Sequence, residues 1–297
     1  MNNVELLYEC KNTLGEGITY SSKNNVLYWL DIGNMSKLFK LNLSSHKKEI
    51  FDLPEIVTAT SVKSEDELIL ASNNGLNLFN ISSQKFGRFL SIEDQLISTR
   101  SNDGGSDAYG RFWLGTMQNN FDKDGNDISI RENIGKLYKV EVNKKISIVE
   151  EGLGIPNTFV WSPDNTRFYF TDTLNGKILN YKFNLEKGEL SDKNKFASFD
   201  RGFPDGSTID TDGCLWNCRW GGSCIVRFTP TGKVDQIIEM PVENITNCVF
   251  GGLDMKTLFI TTASNKGEKQ NDLDGSLFAI NLNYQGLEDN KSKLQLS

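Results

Sequence analysis

The 297-residue sequence predicts an all-β fold, a six-bladed β-propeller of four-stranded antiparallel blades. Three observations carry that expectation. Pairs of short alternating strands recur along the chain, with starts separated by roughly 40 to 55 residues, the period of a four-stranded blade. The turns between them (SSKNN, SPDNT, DTDG) have the Gly, Asn, Asp, Ser and Pro content of tight hairpins. Helical periodicity, by contrast, is hard to find.

VELLYE, near the N-terminus, precedes the first full blade and has no partner of its own. The repeats then follow as VLYWLDI and KLFKLNL from Val26, ELILAS and GLNLFNI from Glu67, and RFWLGTM and GKLYKVEV from Arg111. They return as RFYFTDT and KILNYKF from Arg167, CLWNCRW and CIVRFTP from Cys214, and TLFITTA and GSLFAINL from Thr257. The last repeat runs out of chain near Asn283, so the N-terminal strand is expected to complete it, closing the ring and removing its open edges. No linker interrupts the series, which predicts one domain over residues 1–297. The polar tail, about residues 287–297, is expected to be weakly ordered at its end. Between Met117 and Gly135 lies an insertion longer than a hairpin needs. Its Asp122, Asp124, Gly125 and Asp127 resemble a calcium loop, but the twelfth position, counted from Asn120, is Arg131 rather than Glu, and flanking helices are absent. An exposed loop, or a lid over the channel mouth, is expected there.

Composition removes several function classes. A net charge of −7 and a pI near 5.0 give no polyanion-binding surface, so nucleic acid is not expected as a partner. No apolar run approaches the ~20 residues that span a bilayer, and the N-terminus lacks a basic region followed by an apolar core. A cytoplasmic protein without membrane partners is the expectation. Five unevenly scattered cysteines read as free thiols, and without a CxxC pair they do not form a zinc site. The single histidine, His46, lies in the polar turn SSHKKE. Ser-His-Asp and Cys-His machinery therefore lack their base, and proton transfer in a hydrolase would fall to a carboxylate or to metal-bound hydroxide.

Aligning the repeats on the turn after each first strand brings oxygen donors to one phase. Glu16, Asn157 and Asp205 precede the turn residues Ser22, Pro163 and Thr211 by one offset, and the same offset before Ala108 reaches Asn102. Thr58 and Asn247 fill the remaining repeats. In a propeller these positions ring one mouth of the central channel. Glu, Asp and Asn oxygens converging without His or Cys suit a hard cation, Ca²⁺, Mg²⁺ or Mn²⁺, with Zn²⁺ also possible. Each is also ordinary turn chemistry beside glycine or proline. Asp31 and Asp172, at the ends of YWLDI and YFTDT, are expected to hold turns. Trp113, Trp216 and Trp220 are expected to pack blades rather than stack on a ligand.

The blocks LGEG with YWLDI, RSNDGGSDAYGRFWLGTM, IPNTFVWSPD with FYFTDT, FPDGSTIDTDGCLWNCRWGG and NCVFGG carry a resemblance over nearly the whole chain. The chain resembles the gluconolactonase/regucalcin/senescence-marker family of propellers, and its RWGG is more similar to bacterial sugar-lactonase members. The resemblance implies one divalent metal ion (Ca, Zn, Mg or Mn) on Glu16, Asn157 and Asp205, with Asp205 also the general base. It implies substrate contacts from Arg100 and Asn102, and a sugar-derived lactone, gluconolactone- or arabinonolactone-like, hydrolysed to its aldonic acid by a monomer or small homo-oligomer. The sequence departs from the family where regucalcin-like members place a substrate-contacting Glu after GTM; here the Asp-rich insertion begins. Two other readings are a phosphotriesterase-like calcium propeller and a non-catalytic metal- or partner-binding propeller.

Overall fold

A computed structural model describes residues 4–33, 35–122, 126–265 and 270–295. The strands form six four-stranded antiparallel sheets, each adding strands outward in chain order from an innermost one. Those innermost strands are Gly15–Ser21, Val57–Val62, Thr99–Ser106, Pro156–Trp161, Phe203–Ile209 and Ile245–Gly251, in blades one to six. Glu5–Tyr8 pairs antiparallel with Leu277–Asn281 and supplies the outermost strand of blade six, so the ring closes as the sequence predicts. Among the described residues, no helix is long and apolar enough to cross a membrane.

Each blade is covered on both faces by its neighbours, which is why its second strand reads as a continuous apolar run, as in VLYWLD, buried over its first five residues. Trp216, Cys218, Ile225, Ile238, Cys248, Phe250 and Phe278 form one such inter-blade core, spanning blades five and six. Trp113 and Trp216 are fully buried in these cores. Their indole nitrogens donate to Asp107 and Asp210 at 3.0 and 2.9 Å. The same carboxylates accept backbone N–H groups of their own hairpins, from Gly110 and Arg111 and from Asp212 and Cys214. The repeated Asp…Gly…Trp spacing of SDAYGRFW and IDTDGCLW is thus a turn clamp. Trp220 is only half-buried. Asp31 holds the Leu14 amide and Asp172 those of Gly154 and Ile155, the structural role expected of both.

Every innermost strand carries a register shift near its start: between Glu16 and Thr19, Val57 and Ala59, Ser101 and Gly104, Asn157 and Val160, Pro204 and Ser207, and Ile245 and Asn247. The registers on either side of the bulges keep the four donors in phase: Gly15, Ser101, Pro156 and Pro204 pair with Asp31, Thr116, Asp172 and Arg219, and Glu16, Asn102, Asn157 and Asp205 each follow by one residue. An extra residue suspends the strict alternation of a strand, so neighbouring side chains reach the same space from adjacent positions.

The tail is tied to the blades over residues 285–295. Residues 285–295 cross the channel end opposite the bulges. Thr211 donates to the Gln285 carbonyl, and the amides of Ser292, Lys293 and Gln295 bond to the carbonyls of Val62, Gly110 and Val142. Thr19 Oγ1 donates to Asp289 at 2.8 Å, Ser22 Oγ to Glu288 at 2.6 Å, and Leu294 is buried. This polar, extended segment is held because its amides meet open carbonyls at the ends of several blades. Positions 296 and 297 lie outside the described residues.

Burial raises the Asp289 carboxyl from 3.8 to about 6, more than Thr19 and the Tyr20 amide lower it. The folded chain therefore holds a proton that the unfolded chain releases, and its stability falls as pH rises from about 4 through 6. Asp289→Asn keeps an acceptor for Thr19 and removes that penalty. The variant is expected to gain on wild type between pH 4.5 and pH 7.5 by at most about 3 kcal/mol, read by urea denaturation at both pH values.

Candidate active site

The bulges bring the sequence-predicted residues to one mouth of the channel and tie them to one another. Asn102 Nδ2 donates to the Pro156 carbonyl at 2.9 Å and to Asn157 Oδ1 at 3.2 Å, linking blades three and four. Asn157 Nδ2 is committed to Thr173 Oγ1 at 2.9 Å, which turns its Oδ1 toward Asn102. Thr173 in turn donates to the Pro204 carbonyl, fixing the strand that carries Asp205. Asn247 Nδ2 donates to Glu16 Oε2 at 3.2 Å across blades six and one, and the Gly17 amide reaches the same oxygen at 3.1 Å. Gly206 is required here, since a Cβ would stand 2.2 Å from the Asn247 amide carbon. Thr58, the blade-two counterpart, donates to Ser101 Oγ.

One neighbour escaped the sequence reading. Asp103, beside Asn102, is buried, accepts from the Gly104 amide at 2.7 Å and also bonds to the Thr158 amide. Thr158 has φ of 60°, a strained conformation for a β-branched residue. Its hydroxyl holds the Asp205 carbonyl at 2.6 Å and lies 2.9 Å from Ser207 Oγ. Strained Thr158 thus bonds to the Asp103 carboxylate through its amide and to the Asp205 main chain through its hydroxyl.

These acids disturb one another. Burial, then the negative charge of Asp103, raises Glu16 to about 8. Burial raises Asp103 to about 7. Asp205 is pushed well up by burial, then by Glu16 and Asp103. Two arginines oppose this. Arg100 acts on Glu16, and Arg219 acts on Asp205 while bonding to the carbonyls of Phe199, Arg201 and Gly202. Among the described residues, no group of three or more His, Cys, Asp or Glu side chains has the arrangement of a metal site by itself. A set drawing on Glu16, Asp205 and the Asn157 amide uses two carboxylates and a neutral oxygen. Its oxygen donors and unbalanced buried charge fit a hard divalent cation.

Arg100 is 3% exposed, with Nη1 donating to the Ser101 carbonyl at 2.7 Å and to Asn102 Oδ1 at 3.2 Å. Behind the ring lies a polar cavity of about 290 Å³. Asp103 and Asn247 line it at the ring end and Asp289 at the tail end, whereas Glu16, Asn157, Asp205 and Arg100 do not line it. The cavity is lined by residues of the innermost strands of several blades and by the tail. Of the calcium-like loop, Asp122 and Asp127 are described, while Asp124 and Gly125 lie outside the described residues. His46 is exposed in its turn, and all five cysteines are free.

A six-bladed propeller with an oxygen-lined acidic ring at one mouth is the class that this geometry defines. The chain belongs to the SMP-30/gluconolactonase/LRE-like family, whose model matches residues 14–264. It is 30% identical to a putative sugar lactone lactonase, YvrE, of Bacillus subtilis over 94% of this chain and 95% of that protein. It is 28% identical to the pentonolactonase XacC of Haloferax volcanii, over 95% and 96% of the two chains. Among solved structures, regucalcin from Agrobacterium tumefaciens, described as a calcium-binding protein, superposes with a TM-score of 0.88 at 26% identity, covering 99% of this chain and 98% of that one.

The raised acids set a testable pH dependence. The folded pKa of Glu16 lies above its ordinary 4.5, so the metal-free protein loses stability as pH rises from about 4.5 toward 8. Glu16→Gln is expected to raise the melting temperature of metal-free protein at pH 8 by a few degrees. A millimolar divalent cation is expected to raise the melting temperature of wild type further, and Glu16→Gln to lose that rise. Differential scanning fluorimetry with and without chelator checks both.

Proposed function

We propose that the chain is a metal-dependent hydrolase that opens a sugar-derived lactone to its aldonic acid. The observation that carries this reading is the buried trio Glu16, Asp103 and Asp205, whose three carboxylates outnumber the two arginines, Arg100 and Arg219, that act on them. A divalent cation would supply the positive charge that lets these buried carboxylates ionise. Lactonase names among the full-length relatives support the reaction class, and the calcium-binding regucalcin supports a metal.

Glu16, Asn157 and Asp205 are the residues assigned to the cation, which when bound would polarise the lactone carbonyl as a Lewis acid. Asp205 orients the attacking water and accepts its proton. The water oxygen bonds to the carbonyl carbon, the ring C–O bond breaks, and the proton passes to the departing ring oxygen, which becomes the product hydroxyl. The new acid then ionises at neutral pH and releases one proton. Arg100 donates charge-assisted hydrogen bonds to substrate oxygens. Asn102 accepts from Arg100 and donates to Asn157, so it couples the substrate-binding and metal-binding residues.

A pH-drop screen of five- and six-carbon aldonolactones, using metal-stripped protein restored with one cation at a time, tests the proposal. Turnover is expected only with a divalent cation, and Asp205→Ala is expected to lose at least about a hundredfold in kcat. Wild-type turnover after exhaustive chelation would overturn the metal role, and robust turnover by Asp205→Ala would overturn its assignment. Faster hydrolysis of a phosphotriester than of any aldonolactone would move the protein to the phosphotriesterase reading. Metal binding without turnover would make it a non-catalytic binder.

A further inference from the structure

The insertion after Met117 is tied down on several sides. The Asn119 amide donates to the Ser98 carbonyl at 2.8 Å, its Nδ2 donates to the Ile97 carbonyl, and Gln118 Oε1 accepts the amides of Arg131 and Glu132. The Ile128 amide returns to the Asn120 carbonyl at 2.7 Å, and Phe121 bridges to Asp127, making a small hairpin. Two consecutive side chains of that hairpin meet Arg100. Asn120 Oδ1 accepts from Arg100 Nε at 2.7 Å, and the Phe121 ring lies 5.5 Å from the guanidinium carbon while packing against the core of blades one and two. Asp127 adds a favourable charge interaction with Arg100. With Nη1 held by Ser101 and Asn102, three sides of the guanidinium are engaged, and among the described residues Nη2 makes no hydrogen bond.

We propose that the insertion is a clamp for Arg100, in which Asn120 and Phe121 are positioning residues that fix the guanidinium with its Nη2 edge presented to substrate oxygens. It acts through the orientation of Arg100. Arginine carries large rotamer entropy, and a planar fork bonds two oxygens only in one orientation. An unclamped Arg100 would have to be ordered by each substrate as it binds, so loss of the clamp falls on KM more than on kcat. The readout by turnover rests on the lactonase reading above.

The experiment measures aldonolactone kinetics for wild type, Asn120→Ala, Asn120→Asp and Phe121→Leu, and for Asn120→Ala in an Arg100→Lys background. Asn120→Ala is expected to raise KM about three- to tenfold with kcat within about twofold, since one side chain loses its order. Asn120→Asp keeps the acceptor and is expected to restore wild-type KM, and Phe121→Leu is expected to resemble Asn120→Ala. Lysine has no Nε–H fork, so Asn120→Ala should add no further loss in the Arg100→Lys background. Wild-type KM in Asn120→Ala, or an equal loss in both backgrounds, would overturn the clamp. Arginine Nε–H exchange by NMR is recorded in parallel: a slowly exchanging Arg100 signal in wild type that is lost in Asn120→Ala supports the clamp whether or not any lactone turns over. Its persistence in Asn120→Ala overturns it. Absence of lactone turnover in wild type would sink the lactonase reading alone.

Discussion

The innermost strands of a propeller are bonded to a partner on one side only, and the free edge of each faces the channel. Everything at the mouth follows from how those six edges are spaced. Side chains do the work that a ladder would do elsewhere. Thr246 donates to the Gly15 carbonyl, Thr60 to that of Gly17, Asn102 to Pro156 and Thr158 to Asp205, each across a blade boundary. The carbonyls of Gly17 and Asp205 lie within bulges, and those of Gly15 and Pro156 lie just before them. The hydrogen bonds that hold the blades at their spacing are made by the same residues that shape the acidic ring, so structural and candidate functional roles cannot be separated at Asn102, Thr158 or Asn247.

Gathering Glu16, Asp103 and Asp205 at one end of the channel works against folding, because each raises the free energy of ionising the others. Arg219 limits the cost from behind Asp205 and Arg100 from the side of Glu16. Sites assembled for charge commonly oppose stability in this way, and the remainder of the fold compensates. Here the compensation lies in dry inter-blade cores, in the buried Arg111–Asp107 and Arg227–Asp210 pairs and in a tail that bonds to the far ends of several blades.

How much was legible in the chain depended on whether a residue's role was repeated. Glu16, Asn157 and Asp205 stood out because the blades repeat, and a donor at the same phase in several copies is visible against turn chemistry. The strand registers keep Asn102 and Asp205 in the phase of Glu16 and Asn157, although the bulge leaves the first two unpaired. Asp103 was hidden inside the Asn-Asp-Gly triplet, where an aspartate needs no explanation beyond the turn. Asn120 and Phe121 belong to an insertion with no counterpart in other blades, so no comparison within the chain could mark them. The attachment of residues 285–295 was not legible because polarity alone does not show that their amides meet open carbonyls on distant blades.

The alternating strands, their spacing and the lone N-terminal strand determined by themselves the fold, the number of blades and the closure of the ring, because those features are local or periodic. The lone histidine likewise excluded histidine-based catalysis without any structure, since composition bounds chemistry. Only the tertiary structure decided which acids share a field, that strained Thr158 ties the Asp103 carboxylate to the Asp205 main chain, and that Arg100 is held by an insertion. Those facts join residues far apart in the chain through distances of a few ångströms, and no periodicity in the sequence encodes such distances.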